Sequence, residues 1–188
     1  MQLRYNKYMT VKIIDLKLAI QAFSRLNSLL KKPVKLILGG GTAMIMAHQF
    51  PLSTSDVDAV SKNSSLLEIE NEIKQVGAEL NLPADWLNPH FSSFMFVLPD
   101  DFETRLIQVF SENFLSVYAL GKEDMILMKC FAHRAKDIGH TKFLLQKTSN
   151  IKIVEKQIEL LKRKKFQGHL RLLIFSEQIL EELSDEKS

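Results

Sequence analysis

The chain has 188 residues, 46% hydrophobic and 25% charged, with 25 basic against 22 acidic side chains for a net charge of +3. That apolar content excludes disorder, and only 7 glycines and 5 prolines exclude a collagen-like or linker composition. A surplus of three charges falls short of a dedicated nucleic-acid surface, and the single cysteine, Cys130, excludes a disulfide framework or a cysteine-only zinc site.

From Val11 to Lys31 apolar residues recur at helical spacing (Leu18, Ala19, Ala22, Phe23, Leu26, Leu29), and Pro33 stops the run. Val34–Leu38 is a short β-rich stretch that ends in Gly39-Gly40-Gly41. Thr42 to Phe50 reads as a buried helix closed by Pro51. Asp56–Val60 reads as a strand with two carboxylates on one face. Ser65 to Leu80 is an amphipathic helix, and Pro83 to Pro89 a turn-rich connector. Phe94–Leu98, Arg105–Phe110 and Leu115–Leu120 are strand candidates, with turn signals at Pro99-Asp100-Asp101 and Glu112-Asn113. Beyond residue 122 strand signals vanish, and helices are expected over about 122–135, 140–147, 151–165 and 169–183. No stretch approaches about 18 uninterrupted apolar residues, and the first residues lack the apolar core of a leader peptide, so a cytoplasmic protein with no membrane partner is expected.

The chemistry concentrates between Leu36 and Val60. A hydrophobic strand delivers glycines to the first turn of a helix, where backbone N–H groups favour an anion such as a phosphate. A second strand then carries Asp56 and Asp58 at i and i+2, a spacing that holds a hard divalent cation. Three glycines also suit a plain turn, and Asp-x-Asp a polar strand edge. The two together, on adjacent parallel strands with one helix between, would form a metal–triphosphate site. No Gly-Lys-Ser/Thr follows the glycines and no Gly-x-Gly-x-x-Gly is present, which excludes a Walker A loop and a dinucleotide fingerprint.

Gly39-Gly40-Gly41-Thr42-Ala43 with Thr54-Ser55-Asp56-Val57-Asp58 resembles the signature of the polymerase-β-type nucleotidyltransferase superfamily. Leu82-Pro83-Ala84-Asp85-Trp86-Leu87-Asn88 and the run from Glu123 to Asp137, with Lys129, Arg134 and Asp137, are similar to segments of the AbiEii-type toxins and related bacterial families. The likeness spans roughly residues 33–148. It implies an α+β fold with a mixed sheet flanked by helices, a core over 1–148 and C-terminal helices over 149–188. It further implies transfer of a nucleoside monophosphate from an NTP to an RNA (tRNA) or protein acceptor, in a toxin neutralised by an antitoxin protein. On that likeness Gly39, Gly40, Gly41 and Thr42 would cradle phosphates, and Asp56 and Asp58 would bind Mg2+. Lys129 would reach a phosphate, and Asp137 would lie two turns further along the same helix.

The residues also depart from that pattern. Pro51, Leu52 and Ser53 stand where an arginine is common, and His140 where a second aspartate often follows. The third carboxylate would sit on a later strand. Here that strand reads Arg105-Leu106-Ile107-Gln108-Val109, which leaves Glu103 or nothing. The alternative is therefore a degenerate nucleotidyltransferase fold acting as a non-enzymatic binding or regulatory module.

Spacing adds a stripe of Lys129, His133, Lys136 or Asp137, and His140, which also suits a solvated helix face. Lys162–Lys165 with Arg171 form a basic cluster suited to a helix C-terminus or to an RNA contact. His48, His90 and His169 show no zinc-ligand spacing, and Trp86 suits a sheet-edge cover better than a base-stacking platform.

Overall fold

The computed structural model of the chain describes residues 13–164 apart from 52, 133 and 149. The expectations for Val11, Leu52, His133, Lys165, His169, Arg171 and the helix at 169–183 lie outside the described residues.

The architecture is α+β. Helix α1 (Leu16–Leu29) starts where the Asp15 side chain accepts the Leu18 N–H at 2.8 Å. It leads into β1 (Val34–Leu38), then α2 (Gly40–His48), β2 (Val57–Ser61) and α3 (Glu70–Leu80). A two-residue strand, β3 (Leu87–Asn88), is followed by the hairpin β4 (Ile107–Glu112) and β5 (Leu115–Ala119). Helices α4 (Lys122–Ala132), α5 (Ala135–Lys147) and α6 (Ile151–Arg163) complete the described chain. The sheet order is β3-β2-β1-β5-β4. Strand β1 lies inside the sheet, parallel to β5 and antiparallel to β2, and its Leu36, Ile37 and Leu38 are buried as a strand covered on both faces requires.

One core holds the elements together. Phe23 of α1 meets the Trp86 ring at 6.3 Å and the Phe110 ring at 5.7 Å between centroids, so helix, connector and β4 share a cluster. Trp86 is fully buried, and its Nε1–H donates to the Ile73 carbonyl at 2.9 Å, so its ring packs on α1 and α3 and offers no platform to a base. Val154 and Leu161 of α6 belong to the same core, and Gln157 donates to the Val97 carbonyl at 2.9 Å.

Four local expectations need correction. Strands β1 and β2 are adjacent but antiparallel, with Leu38 opposite Ala59 and Leu36 opposite Ser61. Just before β2, Ile14 and Thr54 exchange backbone hydrogen bonds at 2.7 and 3.1 Å, and Gly39 N–H donates to the Asp58 carbonyl at 3.0 Å. Strand β2 therefore begins beside the glycines, and the acids still reach them. The Phe94–Leu98 strand is absent: His90–Val97 is a 3₁₀ helix whose Phe94 and Phe96 pack on Phe131 of α4. Residues 102–105 likewise form a 3₁₀ turn, so that β4 starts only at Ile107. Finally, the helix carrying Lys129 ends at Ala132, and Asp137 belongs to α5, because Arg134 adopts an extended backbone (φ −99°, ψ 144°) between the two. No described helix is long and apolar enough to cross a membrane.

Candidate active site

Where β1 ends, the chain must turn into α2 with the side chains of β2 already close. Gly40 has φ +60°, and a Cβ on it would collide with Asp58 Oδ2. Only glycine satisfies both the left-handed backbone and the approach. Gly39 donates its N–H to the Asp58 carbonyl at 3.0 Å, and a Cβ there would press on the Phe91 ring at 2.9 Å. The first intrahelical bond of α2 runs from Ala43 N–H to the Gly39 carbonyl at 3.2 Å, so the N–H groups of residues 40–42 have no intrahelical acceptor. They stand at the positive end of the helix dipole.

The carboxylates come from the start of β2: Asp56 directly precedes it and Asp58 is its second residue. Asp56 accepts from Thr54 Oγ1 at 3.2 Å and from Asn88 Nδ2 at 3.3 Å. Thr42, fully buried, donates its hydroxyl to the Asp56 carbonyl at 3.0 Å and so locks α2 to β2. Asp58 is half-buried; burial, and then the charge of Asp56, raise its carboxyl above the usual carboxylate range. His90, Arg134 and Lys129 only partly offset this. Ligand atoms of Asp56, Asp58 and His90 all lie within 4.8 Å of one another.

Both carboxylates open on a cleft of about 450 Å³ that is also lined by Gly40, Gly41, Ser53, Lys129, Arg134 and Lys136, with an apolar side made of Phe94, Met125, Met128 and Ala132. The cations are tethered. Lys129 is buried, with 4% of its side chain exposed, and its Nζ donates to Asp137 Oδ1 at 2.9 Å. Arg134, half-exposed, donates from Nε to Asp137 Oδ2 at 2.6 Å. His140 Nδ1 stands 3.5 Å from Asp137 Oδ1. Burial alone would raise the fully buried Asp137, but His140, Arg134 and Lys129 outweigh it and hold the carboxyl well below the usual range. Burial lowers Lys129, and Asp137 counters only part of that.

The sequence-predicted residues thus divide. Gly40, Gly41, Asp56, Asp58 and Lys129 line one cleft, whereas Gly39, Thr42 and Asp137 lie behind its wall and hold those residues in place. Neither Glu103 nor Gln108 stands beside the acids. Glu103 is paired with Lys62, and Gln108 is on β4, separated from β2 by β1 and β5. Besides β1, the strand next to β2 is β3, with Asn88 opposite Asp58. His90 and Asn88 join the site unforeseen. The Trp-Leu-Asn signal held Asn88, but nothing local marked His90 two residues on. His48 is structural: its Nε2 donates to the Leu120 carbonyl at 2.9 Å, and burial lowers its pKa. Burial also pushes the Cys130 thiol up to about 12, so it stays protonated in the core.

Two half-buried carboxylates, one raised by burial and then by the other's charge, with an imidazole in reach, fit a divalent cation in charge and donor type. Against known proteins, residues 16–166 match a family of nucleotidyltransferases of unknown function (DUF6036). No curated protein and no solved structure gives a match. The chain belongs to this nucleotidyltransferase family, whose reaction draws on an NTP.

Proposed function

We propose that the cleft binds an NTP with a divalent cation, Mg2+ or a chemical relative, and transfers its nucleoside monophosphate to a hydroxyl of an RNA or protein acceptor. The observation that carries this is the meeting of Asp56 and Asp58 with Lys129, Arg134 and the α2 N-terminus on one cleft. Asp56 and Asp58 would hold the cation, which when bound neutralises charge on the phosphates. The N–H groups of Gly40 and Gly41 receive phosphate oxygens, and the Phe94, Met125 and Met128 side accepts the apolar faces of the nucleoside.

In the transfer, the acceptor oxygen bonds to the α-phosphorus as the bond from that phosphorus to the bridging oxygen breaks. Pyrophosphate leaves and the hydroxyl proton passes to water. Lys129 and Arg134 offer fixed positive charge to the departing phosphates, with no reorganisation because Asp137 already orients both. Asp137 is thus a positioning residue. The likeness to AbiEii-type toxins extends the reading to a toxin countered by an antitoxin protein, and growth arrest on expression that requires Asp58 tests that extension.

A second reading, a non-catalytic descendant that still binds nucleotide, is favoured by the group around the two acids, which among the described residues is completed by His90 and not by a third carboxylate. One experiment separates them. Calorimetry with each of the four NTPs and Mg2+ should show binding that is lost in Asp58→Asn. Incubation with labelled NTP and total tRNA or cell protein should then give Asp58-dependent labelling. Binding without labelling selects the second reading, and no binding rejects both.

A further inference from the structure

Asn88 stands on β3 opposite Asp58. Its buried side chain spans the site, Nδ2 donating to Asp56 Oδ2 at 3.3 Å while Oδ1 accepts the backbone N–H of His90 at 3.0 Å. One amide thereby fixes both the first carboxylate and the start of the 3₁₀ helix on which His90 rides. The imidazole is exposed, free to present a ring nitrogen, and lies within the same 4.8 Å span as the two carboxylates. A single ion with bonds of about 2.0–2.2 Å places its ligands roughly 3 to 4.4 Å apart, so a small closure gathers all three.

We infer that His90 is the third protein ligand of the cation, and that it makes the site selective for a first-row divalent ion such as Mn2+ over Mg2+. This rests on the metal–NTP reading above. Mg2+ demands oxygen donors and sheds water reluctantly, whereas imidazole suits transition ions. A neutral nitrogen in place of a third carboxylate also removes the negative charge on which a hard ion relies. Asn88 acts through Asp56 and His90, and supports of this kind carry about 10–100-fold in metal affinity.

The test uses the whole chain, stripped of metal and without nucleotide, so that its readout is independent of turnover. Mn2+ binding is followed by the loss of the free-ion EPR signal, with Mg2+ as competitor, and the bound ion is examined by pulsed EPR for nitrogen coupling. The wild type should hold Mn2+ at least about tenfold more tightly than Mg2+ and show an imidazole nitrogen. His90→Ala should lose that coupling and about tenfold in Mn2+ affinity with little change for Mg2+, while His90→Asp, which restores three oxygens, should favour Mg2+. Asn88→Ala should weaken Mn2+ about tenfold. Wild-type Mn2+ binding by His90→Ala, together with loss in Asp58→Asn, overturns the histidine and leaves the cleft reading standing. Failure of the wild type to bind either ion, with or without NTP, overturns both.

Discussion

Asp58 and Asp137 stand at and behind the same cleft and are managed in opposite ways. Asp137 is fully buried and meets Lys129, Arg134 and His140, so its charge is compensated and its carboxyl sits low. Asp58 is half-buried beside another acid, and its carboxyl sits high. The first arrangement is complete as it stands. The second costs folding free energy as it stands, and on the proposed reading a bound cation would relieve that cost.

The largest effect should come from breaking the complete side. Asp137→Asn leaves the Lys129 ammonium buried without a counter-charge and should destabilise the protein by about 3–5 kcal/mol in urea melts. The double variant Lys129→Met with Asp137→Leu should lie closer to wild type than Asp137→Asn does, since both charges then go together. Equal losses in the two would undo the contrast.

Next comes the glycine that admits Asp58. Gly40→Ala forces a left-handed backbone on alanine, about 1–2 kcal/mol, and drives its Cβ into the carboxylate. A lowered Tm with NTP binding abolished is the expected calorimetric result.

Asp58→Asn should act with the reverse sign. Removing the like charge should raise the Tm of the metal-free protein by a few degrees, roughly the displacement of ~1 kcal/mol in a chain of this size, while metal binding is lost. The pH dependence follows. A raised folded-state pKa means Asp58 favours folding below its unfolded pKa, and that contribution is lost as pH rises through the raised value. A depressed one means Asp137 favours folding above its unfolded pKa, and that is lost as pH falls through the lowered value. Urea melts between about pH 3 and 8 should therefore show Asp58→Asn flattening the upper limb and Asp137→Asn the lower.

The smallest change should follow Arg134→Ala. Half of that side chain is exposed and Lys129 remains on Asp137, so stability should fall by only about 0.5–1 kcal/mol. NTP affinity should fall by about tenfold, as for one lost charge-assisted contact.

What could be read from the residues followed from local signals. The β1 apolar run, the glycine turn, Asp-x-Asp and the amphipathic α1 and α3 all announce themselves by period or punctuation, and the glycines and acids they position line the cleft. The segment His90–Val97 does not, because a short apolar run rich in phenylalanine fits a strand by composition, and only its docking on Phe131 selects a 3₁₀ helix. The break at Arg134 involves neither proline nor glycine. It becomes intelligible only when Asp137 is seen to gather Lys129 and Arg134 across the joint. A two-residue strand such as β3 has no period at all, and its parallel pairing with β2 is what brings Asn88 and His90 to the acids.

The hydrogen bond from Gly39 N–H to the Asp58 carbonyl joins the glycine turn, the proposed phosphate cradle, to the strand that carries the proposed metal ligand, through a single amide. That proton can exchange with solvent only when the turn and the strand part, so its exchange rate counts how often the two halves of the site separate. A ligand that engages both halves must suppress such openings. At a hundred times its Kd it would add about 2.7 kcal/mol of protection, a roughly hundredfold slower exchange at one backbone position. The Gly39 amide is thus a built-in reporter of occupancy, readable without a label and without turnover.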